Sequence, residues 1–493
     1  MKGDPIQSSA IVWLRRDLRL SDNVALMAGA RSGAPLCIAF NLDPELLRSQ
    51  RMGAPLVQTF FDALRALRET LRALGSDLVL LEGSFEANLV KLARDLNARA
   101  LYYNEDYEPD AIARDECVTR ALEAAGVAVH AHLDHVYFGA GELSTDAGEP
   151  YKIFTPYKRR WLERYRIAAR KPVASARAIA GRLMPRERLP HTRDVPRPQE
   201  FGHEPSPLYP PCSETYARGL LATFLRAGGP SARYATERDI PSLEGTSRLS
   251  PQLRAGTLGI RTCFERAFAA LERAEPAGAR SIETWISELI WREFYQMILR
   301  RFPHVATQPF VPAARRIVWN DDRAAFERWC AGQTGYPIVD AAMAQLNATG
   351  WMHNRLRMIA ASFLTKDLLI TWQWGERYFE QHLADADLAQ NNGGWQWSAS
   401  SGTDAAPYFR VFNPILQSKK CDPEGTFIRA QLPALRNVPA EYVHAPWEMP
   451  PLLQAQSGCI VGSDYPFPIV DHAAARDRAL EAYAAALGKL RAR

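Results

Sequence analysis

Ile11-Val12-Trp13-Leu14, Leu36-Cys37-Ile38-Ala39-Phe40, Leu78-Val79-Leu80-Leu81 and Leu101-Tyr102-Tyr103 are four short apolar runs. Runs of this kind, without polar alternation, suit strands covered on both faces. The stretches between them, a helix from about Asn23, then Leu56 to Leu74 and Asn88 to Leu96, read as helices. Ala111 to Ala125 is a further helix, and Val127-Ala128-Val129 closes the series as a last strand. This strand–helix alternation predicts a doubly wound parallel sheet, Rossmann-like in shape, over residues 1–135. No G-x-G-x-x-G follows the first strand, so the usual dinucleotide fingerprint is absent.

Beyond Tyr137 the alternation stops. Nine prolines between Pro172 and Pro211 break regular structure. Residues 136–210 therefore read as an interdomain connector, with one short ordered piece at Tyr151 to Pro156. Residues 211–493 read as all-helical. The expected helices are Tyr216 to Ala227, Leu258 to Ala274, Glu283 to Arg301, Ala324 to Ala331, Ile338 to Thr349, Arg355 to Thr371, Glu376 to Leu383 and Ala473 to Leu487. The few residues after the last helix predict no long signalling tail.

A chain of 493 residues is too long for one core. It has no run of 18 apolar residues, which argues against a membrane span. Met1-Lys2-Gly3-Asp4-Pro5 carries no apolar signal segment. Seven scattered cysteines without a Cys-x-x-Cys pair predict free thiols in a reducing cytoplasm. The net charge of +5 says little about nucleic acid by itself; what matters is whether arginines gather on one face.

Nine of the twelve tryptophans fall between Trp285 and Trp397, threaded with charge and amide. The pattern suits either flat aromatic ligands and electron flow, or a Trp-rich helical core. Within and around it lie four constellations. Glu244 to Pro251 carries hydroxyls at Thr246, Ser247 and Ser250, with Ser250 as N-cap and Pro251 first in a helix; it is an anion cradle or simple capping. Glu288, Trp291 and Arg292 share a helix face, as a base-binding patch or an ion pair beside a core Trp. Trp351, Asn354, Arg355 and Met358 form a stripe unusually polar for a core. Asp385-Ala386-Asp387, followed by Asn391-Asn392-Gly393-Gly394-Trp395-Gln396-Trp397, has no His or Cys at ligand spacing, so no metal is expected. Its carboxylates suit a polar chain or ring edge, and its Gly pair a close approach to a flat ligand. His130, His132 and His135 fit alternation at a strand end better than a metal site.

Taken together, these motifs resemble the cryptochrome/photolyase family, and within it the class I cyclobutane pyrimidine dimer photolyases. The resemblance begins at Trp13-Leu14-Arg15-Arg16-Asp17-Leu18-Arg19-Leu20-Ser21-Asp22-Asn23. It is densest at Gly245 to Ser250, Trp285 to Tyr295, Gly350 to Met358 and Asp385 to Phe409. It implies one FAD per chain, active as FADH⁻, contacted by Tyr234, Thr246, Ser247, Arg248, Leu249, Ser250, Trp285, Arg292, Asn354, Asp385, Asp387 and Asn391. It implies light-driven repair of pyrimidine dimers in DNA, with the dimer flipped out of the duplex. Glu288 would hydrogen-bond the dimer, Trp291 and Trp397 pack on it, and Asn354 and Met358 line its pocket. Arg238, Arg355 and Arg410 would hold flanking phosphates. Asn391 would face flavin N5. Trp395, Trp372 and Trp319 would relay electrons, with Trp319 the exposed end and Trp329 and Trp374 left to packing.

The resemblance also separates the alternatives. (6-4) photoproduct enzymes carry histidines where this chain has Asn354 and Met358. Plant-type cryptochromes, the photoreceptor alternative, place Asp where this chain has Asn391. The antenna position implies an 8-hydroxy-5-deazaflavin type chromophore at Met52, Gly53, Asp106 and Glu108, ahead of methenyltetrahydrofolate or FMN. The implied partner is damaged DNA, met by a monomer with no obligate protein partner.

Overall fold

Five strands form one parallel sheet in the order β3-β2-β1-β4-β5: β1 (Ser9–Leu14), β2 (Leu36–Leu42), β3 (Leu78–Glu82), β4 (Ala98–Asn104) and β5 (Ala128–His132). The structure is a computed structural model that describes residues 8–488; the Met1 to Pro5 stretch lies outside the described residues. Side chains of β1 alternate between two buried clusters. Ala10, Val12 and Leu14 join Ile38, Phe61 and Leu80, while Ile11 and Trp13 join Val79, Leu89, Leu101 and Val118. Cover on both faces is why these strands read as continuous apolar runs. His130, on β5, stacks on Tyr102 with 4.8 Å between ring centroids.

The chain divides into two compact units. The first comprises residues up to 232, 247–303 and 384–387; the second comprises 233–246, 304–383 and 388 onward. These divisions do not follow the expected boundaries at 135 and 210.

The expected connector is instead part of the first unit's core. Phe154–Ile167 is a helix of 14 residues. Phe154, Tyr157, Trp161 and Tyr165 recur on it at helical spacing, a stripe obscured by the surrounding prolines. Trp161 lies 4.4 Å from Phe264, centroid to centroid. The buried Glu293, on the helix Pro276–Arg301, accepts hydrogen bonds from Tyr137 N, Phe138 N (3.2 Å) and Trp161 Nε1 (2.6 Å). Burial pushes its carboxyl up to about 7.

The second unit is built of helices, among them Arg323–Cys330, Pro337–Thr349, Asn354–Ser362, Trp372–His382, Leu388–Ser398 and His472–Leu487. One expectation changes here, and one helix was not expected. The predicted helix Arg355 to Thr371 ends as α-helix at Ser362 and widens into a π-turn over Phe363–Asp367. There Lys366 Nζ donates to Ser400 Oγ at 2.8 Å, and Asp367 pairs with His472 at 2.6 Å. Leu388–Ser398 is a helix although it contains Gly393-Gly394. Ala389, Asn392 and Gln396 are buried along one of its faces, and tertiary burial outweighs the intrinsic cost of glycine. Open space surrounds the Cβ position of Gly394, so helix packing does not require a glycine there.

Candidate functional site

In this strand order the winding reverses between β1 and β4, and open α/β sheets bind ligands outside the carboxyl ends of strands at such a point. Here an arginine bridges the two strand ends. Arg16, just past β1, donates to Glu108 Oε1 (2.6 Å), Asp106 Oδ1 (3.2 Å) and Tyr107 Oη (2.8 Å), just past β4. It also pairs with Asp387, which accepts from the Tyr107 hydroxyl as well. Burial alone would push the Asp106 and Asp387 carboxyls up, but Arg16 holds both below the usual carboxylate range. Gly256 makes room for this turn: its φ is +69°, and a Cβ there would sit 1.8 Å from the Arg16 carbonyl oxygen. The carboxylates of Asp106 and Glu108, expected to meet a second chromophore, pair with Arg16 through one oxygen each. Met52 packs against the sheet core, and Gly53 caps the helix Ala54–Ala73.

The first unit also carries Ser247, Arg248, Leu249, Ser250, Trp285, Arg292, Asp385 and Asp387. Ser250 is not an N-cap. Leu249 holds that position without a side-chain bond, and Ser250 opens the helix Ser250–Ala255, so its hydroxyl is not used in capping. Arg248 turns the chain at φ +51°. Trp285 is buried against Phe224, with centroids 5.0 Å apart. Arg292 Nη1 donates to the His135 carbonyl at 2.8 Å and to Gln296 Oε1 at 3.4 Å. Asp385 and Asp387 are buried, and the Ala386 carbonyl between them accepts from Arg254. Arg254 Nη1 and Gln296 Nε2 are buried donors with no acceptor among the described residues. Buried donors call for acceptors, and FAD, rich in phosphate and carbonyl oxygens, fits this donor set. Neither Arg254 nor Gln296 belongs to a motif singled out from sequence, and no local pattern marks them.

On the helix Pro276–Arg301, Trp291 stacks on Phe154 with centroids 3.6 Å apart and planes at 9°, so one of its faces is already covered. Glu288, three residues earlier, is half-buried.

The second unit carries Tyr234, Thr246, Asn354, Met358, Asn391 and Trp397, with Arg238, Arg355 and Arg410. Trp351 lies ahead of the helix that begins at Asn354, so it does not share the expected stripe. Asn354 and Met358 do, with Nδ2 and Sδ 3.9 Å apart. Arg355 is paired with Asp239, and Arg238 lies over the Tyr234 ring at 5.3 Å. Arg410 is exposed.

Asn391 Nδ2 donates to the Glu376 backbone carbonyl at 2.9 Å, which orients the amide and leaves Oδ1 to accept. Neighbouring Asn392 donates to Glu376 Oε1 at 2.9 Å. Burial pushes the Glu376 carboxyl up to about 8. Its folded value thus lies above its unfolded one, so the group weighs against folding progressively as pH rises from the ordinary carboxyl range to about 8. Glu376→Gln keeps the acceptor and removes the charge. The variant is expected to melt higher than the parent at pH 8 and equally at pH 4, as thermal unfolding at the two pH values will show. Sequence reading passed over Glu376, because only the fold brings it to Asn391.

The three relay candidates all lie in the second unit. Trp395 and Trp372 are buried, at 2% and 1% exposure, and Trp319 is half-buried, its ring edge-on to Tyr483 at 6.0 Å. Gly375 admits Trp395: a Cβ there would meet the indole at 2.1 Å. Trp329 is fully buried among Phe326, Tyr378, Phe379 and Trp395, and Trp374 lies under Arg323 at 3.5 Å.

Residues 10–176 match the DNA photolyase family, and residues 285–485 match the FAD binding domain of DNA photolyase. The deoxyribodipyrimidine photo-lyase of Halobacterium salinarum is 42% identical, over 97% of this chain and 99% of its own. That of Escherichia coli is also 42% identical, over 97% and 98%. Among solved structures, a bacterial class III photolyase from Agrobacterium tumefaciens superposes with a TM-score of 0.88 at 33% identity, covering 99% of this chain and 100% of that one. The Synechocystis cryptochrome gives 0.86 at 27% identity, covering 98% and 100%. With two family domains matched in order and full-length relatives at this identity, the chain belongs to the DNA photolyase family.

Proposed function

We propose that this protein is a deoxyribodipyrimidine photo-lyase, repairing cyclobutane pyrimidine dimers in DNA under light. The observation that carries the reading is 42% identity, over nearly the full chain, to relatives of that name. FAD, when bound in its fully reduced form, supplies the photoexcited electron that opens the cyclobutane ring and is afterwards recovered. The chain's own residues bind and orient. Trp291, one face stacked on Phe154, offers the other to the flipped dimer, and Trp397 packs against it. Glu288 hydrogen-bonds the dimer and stabilises the charge it gains. Asn354 and Met358 line the lesion's surroundings. Asn391, its NH₂ held by the Glu376 carbonyl, keeps Oδ1 to accept a proton-bearing nitrogen. Tyr234, Thr246, Ser247, Arg248, Leu249, Ser250, Trp285, Arg292, Asp385 and Asp387 complete the flavin contacts. Arg238, Arg355 and Arg410 hold phosphates, and Asp239 aims Arg355.

The test is a dimer-containing oligonucleotide incubated with reduced protein in the dark and then under blue light. Repair only in the light is expected, and no repair under light overturns the reading. Glu288→Ala is expected to lose a charge-assisted hydrogen bond of about 1.5–3 kcal/mol, roughly tenfold or more in repair efficiency. Flavin absorbance should be unchanged. The photoreceptor alternative shares the fold but is not favoured by the full-length relatives.

The protein acts as a monomer in the cytoplasm in this reading, in keeping with seven free thiols. Among the described residues, no helix is long and apolar enough to cross a membrane. The second chromophore in this reading is of the 8-hydroxy-5-deazaflavin type, supported by Met52-Gly53 and the run Asn104 to Pro109. Protein from its native host should show a deazaflavin band that persists after flavin reduction; a folate or FMN spectrum overturns the assignment.

A further inference from the structure

A cavity of about 670 Å³ lies in the first unit, lined in part by the helices Glu214–Leu225 and Ile260–Leu271. None of its lining residues is among those assigned above to flavin, lesion or second chromophore. Its apolar lining includes Val173, Leu221, Leu225 and Leu258. Arg218, Arg226, Arg266 and Arg273 complete it, all exposed. Arg218, Leu221 and Leu225 follow one another at three- and four-residue spacing, so one helix face supplies both cation and apolar wall.

The charges in this cavity are unequally committed. Asp22 accepts from Arg261 Nε (2.8 Å), Val173 N (3.1 Å), Thr262 N (3.1 Å) and Thr262 Oγ1 (3.0 Å). Glu214 accepts from Leu20 N (2.7 Å) and Ser21 N (3.2 Å). Arg19 is buried on Asp134 and the Gly256 carbonyl. Arg218, Arg226, Arg266 and Arg273 have no ion pair or side-chain hydrogen bond among the described residues. Exposed Glu265 can offset only one of them. The cavity therefore has several uncommitted guanidinium groups beside an apolar wall.

We propose that this cavity binds a nucleotide, its phosphates held by the arginines and its base laid on Leu221, Leu225 and Leu258. The guanidinium fork matches phosphate oxygens in pairs. The volume lies within the range of small-molecule sites. A bare inorganic anion would leave the apolar wall unused, and a DNA duplex is too wide to enter.

The experiment titrates FAD-loaded protein with a fluorescent ADP analogue, read by anisotropy, with competitors added afterwards. Saturable binding is expected, displaced by ADP at lower concentration than by pyrophosphate. Arg218→Ala with Arg266→Ala should weaken it about tenfold or more, with flavin absorbance and light-dependent dimer repair unchanged. Arg226→Ala with Arg273→Ala gives an independent second variant should the first fold poorly. Four results overturn the proposal: no saturable binding, affinity unchanged in a folded variant, pyrophosphate competing as well as ADP, or displacement of the analogue by undamaged duplex.

Discussion

Trp319→Phe is expected to cut light-driven electron uptake from an external donor to a small fraction of the parent rate, while repair by protein reduced beforehand is unchanged. The proposed relay runs through Trp395 and Trp372, both buried, to half-buried Trp319. Phenylalanine preserves an aromatic edge toward Tyr483 but is much harder to oxidise than indole. Tyr483 is a poor substitute, since burial holds its phenol proton firmly and a tyrosine gives up an electron readily only as it loses that proton. Its hydroxyl is buried on the Ala399 carbonyl. The measurement is the rate of flavin bleaching under light with a thiol donor, set beside dimer repair by chemically reduced protein. Loss of repair in the reduced variant would sink the assignment of Trp319 to electron supply alone.

Arg16→Met carries the largest expected effect on stability. The side chain is buried and holds Asp106, Glu108, Asp387 and the Tyr107 hydroxyl together. Removing the cation leaves those carboxylates buried without it, and breaking a buried pair from one side costs about 3–5 kcal/mol. The sign with pH follows from the depressed Asp106 and Asp387. In the parent their stabilisation is present above the ordinary carboxylate range and lost only as pH falls below it, through their depressed folded values. In the variant those groups must take up protons instead. The deficit should therefore be greatest at neutral pH and shrink toward pH 4, read as the urea midpoint at each pH. A deficit that does not change with pH would mean that packing, and not charge, is what Arg16 supplies.

Some of the fold was legible because it rests on local pattern. The first four strands of the sheet read correctly, since burial on both faces writes itself as uninterrupted apolar residues, and β5, an exposed edge strand, was found by its place in the alternation. In the second unit Arg323–Cys330, Pro337–Thr349, Trp372–His382 and His472–Leu487 read correctly within a few residues, while Pro414–Cys421, Thr426–Gln431 and Pro451–Ser457 went unread. The misreadings share a cause. Prolines hid the aromatic stripe of Phe154–Ile167, which matters only because Phe264, Phe294 and Glu293 come to meet it. The helix Leu388–Ser398 was absent from the expected helices, and buried Asn392 and Gln396 hold it in place. Ser250 looked like a cap by residue type, and its neighbour took the position.

At the site the division is similar. The motifs around Thr246, Glu288, Asn354, Asp385 and Asn391 could be picked out one by one, because each has an unusual local composition. Their partners could not. Asp106 and Glu108 are bound to Arg16 across about ninety residues of chain, and Asn391 is oriented by a backbone carbonyl 15 residues before it. By itself the sequence determined the fold class, the family likeness and the residue types that flavin and lesion chemistry require. Those depend on periodicity and on short motifs, which are properties of neighbouring residues. Only the tertiary structure decided which charges are spent and which remain. A buried carboxylate or guanidinium is defined by the partner that folding brings to it, and for Arg16, Glu376 and the four cavity arginines that outcome is set by distant chain.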